Sequence, residues 1–153
     1  MDHSVLHRSL APDVPVATLY ALLRLRVEVF VVEQACPYQE LDGRDLADTT
    51  RHFWLVPERG AAEDVVACLR LLEHPEGEFR IGRVCAGRQA RGHGAARRLM
   101  EGALAEIRDA PCVLDAQSHL VGLYEAFGFE PSGTKFTEYG IPHVPMRRSG
   151  RGG

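Results

Sequence analysis

The chain has 153 residues, of which 45% are hydrophobic and 25% charged, and its formal net charge is −3. This length suits one domain with a single core, and the slightly negative charge gives no reason to expect nucleic acid or a membrane surface as a partner. No apolar run approaches a membrane span, and the N-terminus lacks a signal-peptide pattern. The four cysteines show no C-x-x-C spacing, so we expect reduced thiols, no metal site and a cytoplasmic protein.

The N-terminal half predicts one strand, one long helix and a three-stranded meander. Residues 5–10 favour a strand, and apolar residues at helical spacing predict a helix from Val16 to about Glu33. Residues 37–50 are polar and indicate a solvated connection with one helical turn. Strands are then predicted at 52–56, 64–72 and 79–86 with no helix between them, as in an antiparallel meander.

The most informative stretch runs from Phe79 to Asp115: a buried strand, a glycine-bearing loop, an amphipathic helix and a second buried strand. The helix starts at Ala95, directly after Gly92 and Gly94. The first N–H groups of a helix have no partner within it, and that end is electropositive. Glycines let the backbone curl closely around a ligand, and Arg91 adds positive charge, so the loop predicts a pyrophosphate cradle.

Three cofactor classes compete for this cradle, beside the structural alternative of a simple tight turn. A Walker loop needs Lys and then Ser or Thr, where Ala95 and Ala96 stand. A dinucleotide fold could use Asp115 for the ribose, but the third glycine is missing and the meander before residue 79 does not alternate strand and helix. The third class is acetyl-CoA, because Gln89-x-x-Gly92-x-Gly94-Ala95 resembles the Q/R-x-x-G-x-G/A signature of the GNAT acyltransferases.

The C-terminal part predicts a short helix and two strands. Leu120, Leu123, Tyr124 and Phe127 share a helix face that Gly128 ends, and strands follow between residues 134 and 146. The order β-α-(α)-β-β-β-α-β-α-β-β predicts a three-layer α/β domain with a mixed sheet. We expect a single domain over residues 1–147 and a disordered tail at 148–153.

The whole chain resembles the GNAT superfamily, in its ElaA-type branch. This resemblance implies the α/β (α+β) acyl-CoA N-acyltransferase fold, whose mostly antiparallel sheet splays between strands 4 and 5. Gln117 departs from the pattern, because many GNAT proteins have Asn there. The segments that carry the resemblance are Arg26-Val-Glu-Val-Phe-Val-Val-Glu-Gln34, Cys36-Pro-Tyr-Gln39, Leu41-Asp-Gly43, Arg51-His52, Ile81-Gly-Arg-Val84, the 89–95 loop, Ala116-Gln-Ser-His-Leu120, Tyr124-Glu-Ala-Phe-Gly-Phe129 and Gly140-Ile-Pro-His143.

The resemblance implies direct transfer of an acetyl group from acetyl-CoA to a primary amine of a small molecule or peptide. Tyr124 would protonate the leaving thiolate, since a phenol with a pKa near ~10 stays protonated at neutral pH. Glu33, His52 and His119 are candidate bases, and a water chain is an equal alternative. The coenzyme would be bound by Val84, Cys85, Ala86, Gln89, Arg91, Gly92, His93, Gly94, Ala95 and Gln117, and the acceptor by Phe30, Gln34, Tyr38 and His52.

Several alternatives stay open at this stage. The acids Glu40 and Asp42 beside Tyr38 suggest a cationic acceptor. A cysteine nucleophile at Cys85 or Cys112 is a rival route, disfavoured because an apolar strand raises the thiol pKa. The rival class is a coenzyme A-binding sensor or interaction module without turnover. The oligomeric state is open, with a homodimer as one option.

Overall fold

The computed structural model describes residues 3–150 and contains one sheet between two helical layers. The strands are β1 Ser4–Leu10, β2 Arg51–Pro57, β3 Ala67–Glu73, β4 Phe79–Ala86, β5 Cys112–Gln117, β6 Glu130–Pro131, β7 Phe136–Glu138 and β8 Ile141–Arg148. The helices are α1 Val16–Val27, which continues as a π-helical segment over Glu28–Glu33, α2 Ala95–Ile107 and α3 Val121–Glu125.

The sheet opens between its two central strands. Its order is β1-β2-β3-β4-β5-β8-β6, with β7 paired to β8. Neighbours run antiparallel except β4 and β5, which run parallel and pair only at Phe79–Cys112 and Arg80–Val113. Beyond those two pairs the strands diverge, so the predicted splay between strands 4 and 5 and the acyl-CoA N-acyltransferase fold are confirmed.

The two faces of the sheet are covered by different helices. The amphipathic pattern of α2 buries Leu99, Met100, Ala103 and Ile107 in the larger core. On the other face α1 contributes Leu22 and Leu25 to a smaller cluster with Trp54 and Cys68. Alternate residues of β3 and β4 therefore point into different layers, which decides what each can contribute to a site.

A β-bulge interrupts β4 beside the opening. Cys68 lies opposite Cys85 and Arg70 opposite Gly82, so β4 holds one residue more than β3 over this interval. Arg83 lies in this bulge and has a left-handed φ of 54°. A bulge of this kind bends its strand and redirects side chains, and here it turns the Arg83 guanidinium toward the segment after α1.

Three boundaries differ from expectation. The end of the first helix is π-helical rather than α-helical over Glu28–Glu33. Strand β3 starts at Ala67 rather than residue 64, because Asp64 Oδ2 accepts a 2.7 Å hydrogen bond from the Ala61 N–H and holds residues 61–64 in a turn. Arg148 pairs with Cys112 in the sheet, so it does not belong to the tail expected at 148–153; residues 151–153 lie outside the described part.

A network of arginines and carboxylates fastens residues 38–45 to the sheet. Arg26 is 1% exposed; its Nε donates to Glu40 Oε2 at 2.7 Å and its Nη1 to Asp45 Oδ1 at 2.5 Å. Burial alone would raise the pKa of Asp45, but the hydrogen bond and charge of Arg26 lower it overall. The ion pairs therefore stabilise the fold at neutral pH, and this contribution is lost as the pH falls through the folded-state pKa.

We predict that Arg26→Ala lowers the free energy of unfolding by about 3–5 kcal/mol, because it removes the fully buried cation that Glu40 and Asp45 share and leaves each with a single arginine. Urea denaturation measures the loss. The control is Arg97→Ala, which removes an exposed ion pair with Glu101 on α2 and should cost only about 0.5 kcal/mol. Equal losses of unfolding free energy in the two variants would show that the buried network stabilises the protein no more than an exposed ion pair does.

Candidate functional site

A cleft of about 700 Å³ lies where β4 and β5 diverge. It is bounded by the end of the first helix, the segment after it, the two strands and α3. Of the residues predicted for a site, six line it: Phe30, Gln34, Tyr38, Val84, Gln117 and Tyr124. They come from parts of the chain far apart in sequence, and the splay brings them together.

The edge of β4 offers backbone groups to this cleft. Cys85 and Ala86 pair with β3 on one side, but no strand pairs with the β5 side after Arg80, and the Ala86 carbonyl accepts a hydrogen bond from Arg91 Nε. Backbone N–H and C=O groups that lack a ladder partner need another one. A ligand lying between the strands can therefore bind along Val84, Cys85 and Ala86 in the manner of an added strand.

The cysteine route does not fit the geometry. The Cys85 thiol is buried against Cys68, with the two sulfurs 3.7 Å apart, and this hydrogen bond together with burial raises the pKa of Cys85 well above its ordinary value. Burial likewise raises the pKa of Cys112 to about 12. Thiolate is scarce at both positions, so a covalent cysteine intermediate has no support.

Both glycines of the loop have a left-handed backbone. Gly92 and Gly94 have φ values of 79° and 76°, and Gly94 immediately precedes α2. A Cβ added to either would meet no atom within 4 Å, so the left-handed backbone rather than crowding requires glycine. The free space lies beside the unpaired N–H groups of the first turn of α2 and gives an anion room to approach.

Arg91 and Glu33 form an ion pair that sequence reasoning missed. Arg91 donates to both Glu33 oxygens, at 2.6 and 2.8 Å, and its Nε donates to the Ala86 carbonyl at 2.9 Å. The hydrogen bond from Arg91 lowers the pKa of Glu33, whereas a general base at neutral pH needs a raised one. This pairing disfavours Glu33 as a base, and its carboxylate ties the first helix to the glycine loop.

Neither predicted histidine lies in the cleft. His52 is buried, with Nε2 2.9 Å from the Asp45 carbonyl oxygen, and burial is the main cause of its lowered pKa. It supports the arginine network, and its burial gives no support to a role in acceptor binding. His119 is exposed and is not among the residues that line the cleft, so its role as base stays a prediction.

Three predicted loop residues face elsewhere. Gln89, His93 and Ala95 line a second cavity of about 680 Å³, between the start of β1 and the end of β2. None of residues 89–95 is among those that line the cleft. The cradle of main-chain N–H groups at the start of α2 therefore stays a prediction.

Tyr124 has the setting of a protonated phenol. Its side chain is 6% exposed, packs edge to face on Phe129 with ring centroids 6.4 Å apart, and lines the cleft. Burial raises its pKa to about 12. The group therefore stays protonated through the physiological range and is available to donate a proton to a base that forms in the cleft.

Arginines line the cleft in a way that the sequence did not reveal. Arg70 Nη2 donates to Asp42 Oδ2 at 2.7 Å, and Arg83 Nε lies 2.7 Å from Glu40 Oε1. The expectation that Glu40 and Asp42 attract a cationic acceptor is wrong, because arginines already neutralise both. An arginine inside the apolar run of β3 was the available signal for such a buried pairing.

Comparisons with known proteins agree with this geometry. The family description "Acetyltransferase (GNAT) domain" matches residues 20–149. A UPF0039 protein of Mycobacterium tuberculosis is 55% identical over 150 residues, covering 96% of this chain and 94% of its own. Protein ElaA of Escherichia coli is 40% identical over 151 residues, covering 94% and 93%.

Solved structures give the same result. The chain superposes on an acyl-CoA N-acyltransferase from Pseudomonas aeruginosa with a TM-score of 0.88, at 41% identity over 95% of this chain and 99% of the other. For the crystal structure of Escherichia coli ElaA the TM-score is 0.87, at 36% identity over the same shares. Fold and cleft are thus those of an acyltransferase. The chain belongs to the GNAT acetyltransferase family, in its ElaA-type branch.

Two kinds of feature are absent from the described residues. Among residues 3–150, no group of three His, Cys, Asp or Glu side chains is placed to hold a metal ion. In the same part of the chain, no helix is both long and apolar enough to cross a membrane.

We predict that Gly94→Val abolishes measurable binding of coenzyme A in calorimetry, because a β-branched residue cannot adopt φ near 76° without shifting the start of α2. The control is Gly77→Val in the β3–β4 turn, where φ is 87° and a Cβ also meets nothing. It imposes similar strain far from the loop and should leave binding unchanged. Equal affinity in Gly94→Val and the unaltered protein would refute the cradle.

Proposed function

We propose that this protein moves an acetyl group directly from acetyl-CoA to a primary amine of a small molecule or peptide. The observation that carries the proposal is the convergence of three features: an unpaired β4 edge, a glycine-led helix start and the buried Tyr124 phenol. Each alone has a structural explanation. Their arrangement around one splay suits a long thioester with a diphosphate at one end and a reactive carbonyl at the other.

The residues present fit coenzyme A without metal chemistry. The backbone of residues 92–96 would bind the diphosphate, as oriented N–H groups at a helix start do for anions. The β4 edge from Val84 to Ala86 would pair with the amides of the pantetheine arm. Gln117 lies across the splay, where its Nε2 is 3.4 Å from Gln34 Oε1, and it can exchange this weak contact for one to the arm.

The proposed transfer balances with a single protein acid. The amine nitrogen forms a bond to the acetyl carbon, the carbon–sulfur bond breaks, and the thiolate takes the proton of Tyr124. The amine loses its proton to solvent, because Glu33 is ion-paired, His52 is buried and His119 is outside the cleft. Water therefore replaces a dedicated base in this proposal.

The alternative function is a coenzyme A-binding sensor or interaction module with the same fold. Such a module needs the cradle but has no use for an acid beside the thioester. The placement of a protonated phenol in the cleft favours turnover. Free-thiol release from acetyl-CoA with a panel of amines separates the two, and the mass of the product identifies both acyl group and acceptor.

We predict that Tyr124→Phe lowers kcat by about 10²–10⁴-fold, the range for loss of a general acid, and changes the Kd for acetyl-CoA little. Thiol release measures the first and calorimetry the second. Because the pKa of Tyr124 is about 12, the unaltered enzyme should show no alkaline loss of activity from this group below that pH.

Tyr20→Phe is the matched control, since Tyr20 is exposed on α1 and should leave both quantities unchanged. Full activity in Tyr124→Phe would remove its role as acid. Binding of coenzyme A without thiol release for any amine would instead favour the sensor.

A further inference from the structure

We propose that the acceptor carries a carboxylate close to its amine, and that Arg80 and Asp115 recognise this zwitterion across the splay. Arg80 belongs to β4 and Asp115 to β5, so the pair spans the two strands that diverge. The inference rests on the proposed acetyl transfer and names the substrate class of that same cleft.

The charged side chains around the β4 bulge are already paired with one another. Around the bulge, Arg26, Arg70 and Arg83 face Glu40, Asp42 and Asp45, and every one of these groups is paired within the network. Three cations and three anions cancel, and the side chains are largely buried. This network gives the cleft a rigid wall and leaves no charge there for a substrate.

Arg80 and Asp115 are paired only loosely. Their single contact is 3.2 Å, and the side chains are 36% and 41% exposed. The network arginines, by contrast, make several short contacts while buried. An exposed pair with one long contact contributes little to stability, so a ligand can replace it at small cost and gain two charge-assisted bonds.

The surface of β4 beside Arg80 carries a glycine. Gly82 lies two residues along β4 from Arg80, so both face the same side of the sheet. Its φ is not in the left-handed region, and an added Cβ would meet no atom within 4 Å. Neither conformation nor crowding inside the protein requires glycine, and a glycine in a strand interior marks a place where a ligand can approach closely.

The remaining charged groups on the cleft lining match a zwitterion in sign. Arg44 is 66% exposed, and its nearest carboxylate, Asp42, is 4.0 Å away and already paired with Arg70. It can add a second cation for the carboxylate. Glu138 lines the cleft from β7 and is exposed, and the histidines His74 and His143 also line it. The cleft thus carries separate positive and negative positions and no excess of either sign.

In the bound state the substrate takes the place of the internal ion pair. Its carboxylate accepts hydrogen bonds from the Arg80 guanidinium, and its ammonium group donates to Asp115 until it loses a proton to solvent, after which the neutral amine can attack the thioester. The amine is then held next to the splay, on the side where acyl transfer is proposed. An amine without a carboxylate would leave Arg80 and Asp115 paired with each other and would gain neither bond.

The test compares matched acceptors in the unaltered enzyme and in Arg80→Gln. Glycine, β-alanine and phenylalanine are each compared with their carboxamides, by kcat/KM for thiol release and by ligand-detected NMR binding to the protein with coenzyme A present. We expect at least one free acid to exceed its amide by about 10-fold or more, and Arg80→Gln to remove this preference. Arg80→Lys should restore part of it, and Arg97→Gln on α2 should leave it intact.

Each outcome is decisive. A carboxylate preference that disappears in Arg80→Gln but not in Arg97→Gln supports the inference, and NMR binding with that pattern supports it even without turnover. Amides that react and bind as well as the acids, or a preference that survives Arg80→Gln, overturn it while acetyl transfer stands. Absence of thiol release with every amine counts against the proposed function, and the NMR comparison still decides the inference.

Discussion

The short parallel pairing of β4 with β5 is the constraint on which the rest of the structure depends. Two residue pairs hold the strands together, and beyond them each strand keeps partners on its outer side only. The chain leaves β4, forms the left-handed turn at Gly92 and Gly94, and starts α2 beside the opening. A complete ladder would satisfy the backbone of both strands and close the cleft. The cleft therefore exists because β4 and β5 lack these ladder hydrogen bonds beyond their two residue pairs.

A second constraint gives the cleft a fixed wall. The segment after the first helix has little regular structure, and it is held by carboxylates that reach arginines of α1, β3 and the β4 bulge. Burying six charges is costly unless each is paired, and pairing requires that bulge to turn Arg83 toward Glu40. The same pairings neutralise these acids within the protein, whereas Arg80 and Asp115 form a separate, more exposed pair on the same cleft.

The sequence predicted those parts of the protein that local patterns specify. Apolar periodicity placed α2 and the meander, and the Gly92–Gly94 spacing predicted a tightly curled loop before α2, where the structure has two glycines with positive φ. Local patterns could not predict partners distant in the chain. Glu33 meets Arg91 across 58 residues, which converts a candidate base into a structural anion, and His52 is buried against a loop carbonyl. The π-helical end of the first helix was missed because its apolar spacing resembles that of an α-helix over so short a segment.

The central claim is that main-chain N–H groups at the start of α2 bind the diphosphate of coenzyme A. The most direct measurement is a titration of ¹⁵N-labelled protein with coenzyme A, followed by amide chemical shifts and hydrogen exchange. The account predicts large shifts and slowed exchange at residues 92–96, with smaller shifts along Val84 to Ala86 and none at Gly77. Unchanged amides at residues 92–96 under saturating coenzyme A would contradict the account, whatever activity the protein shows.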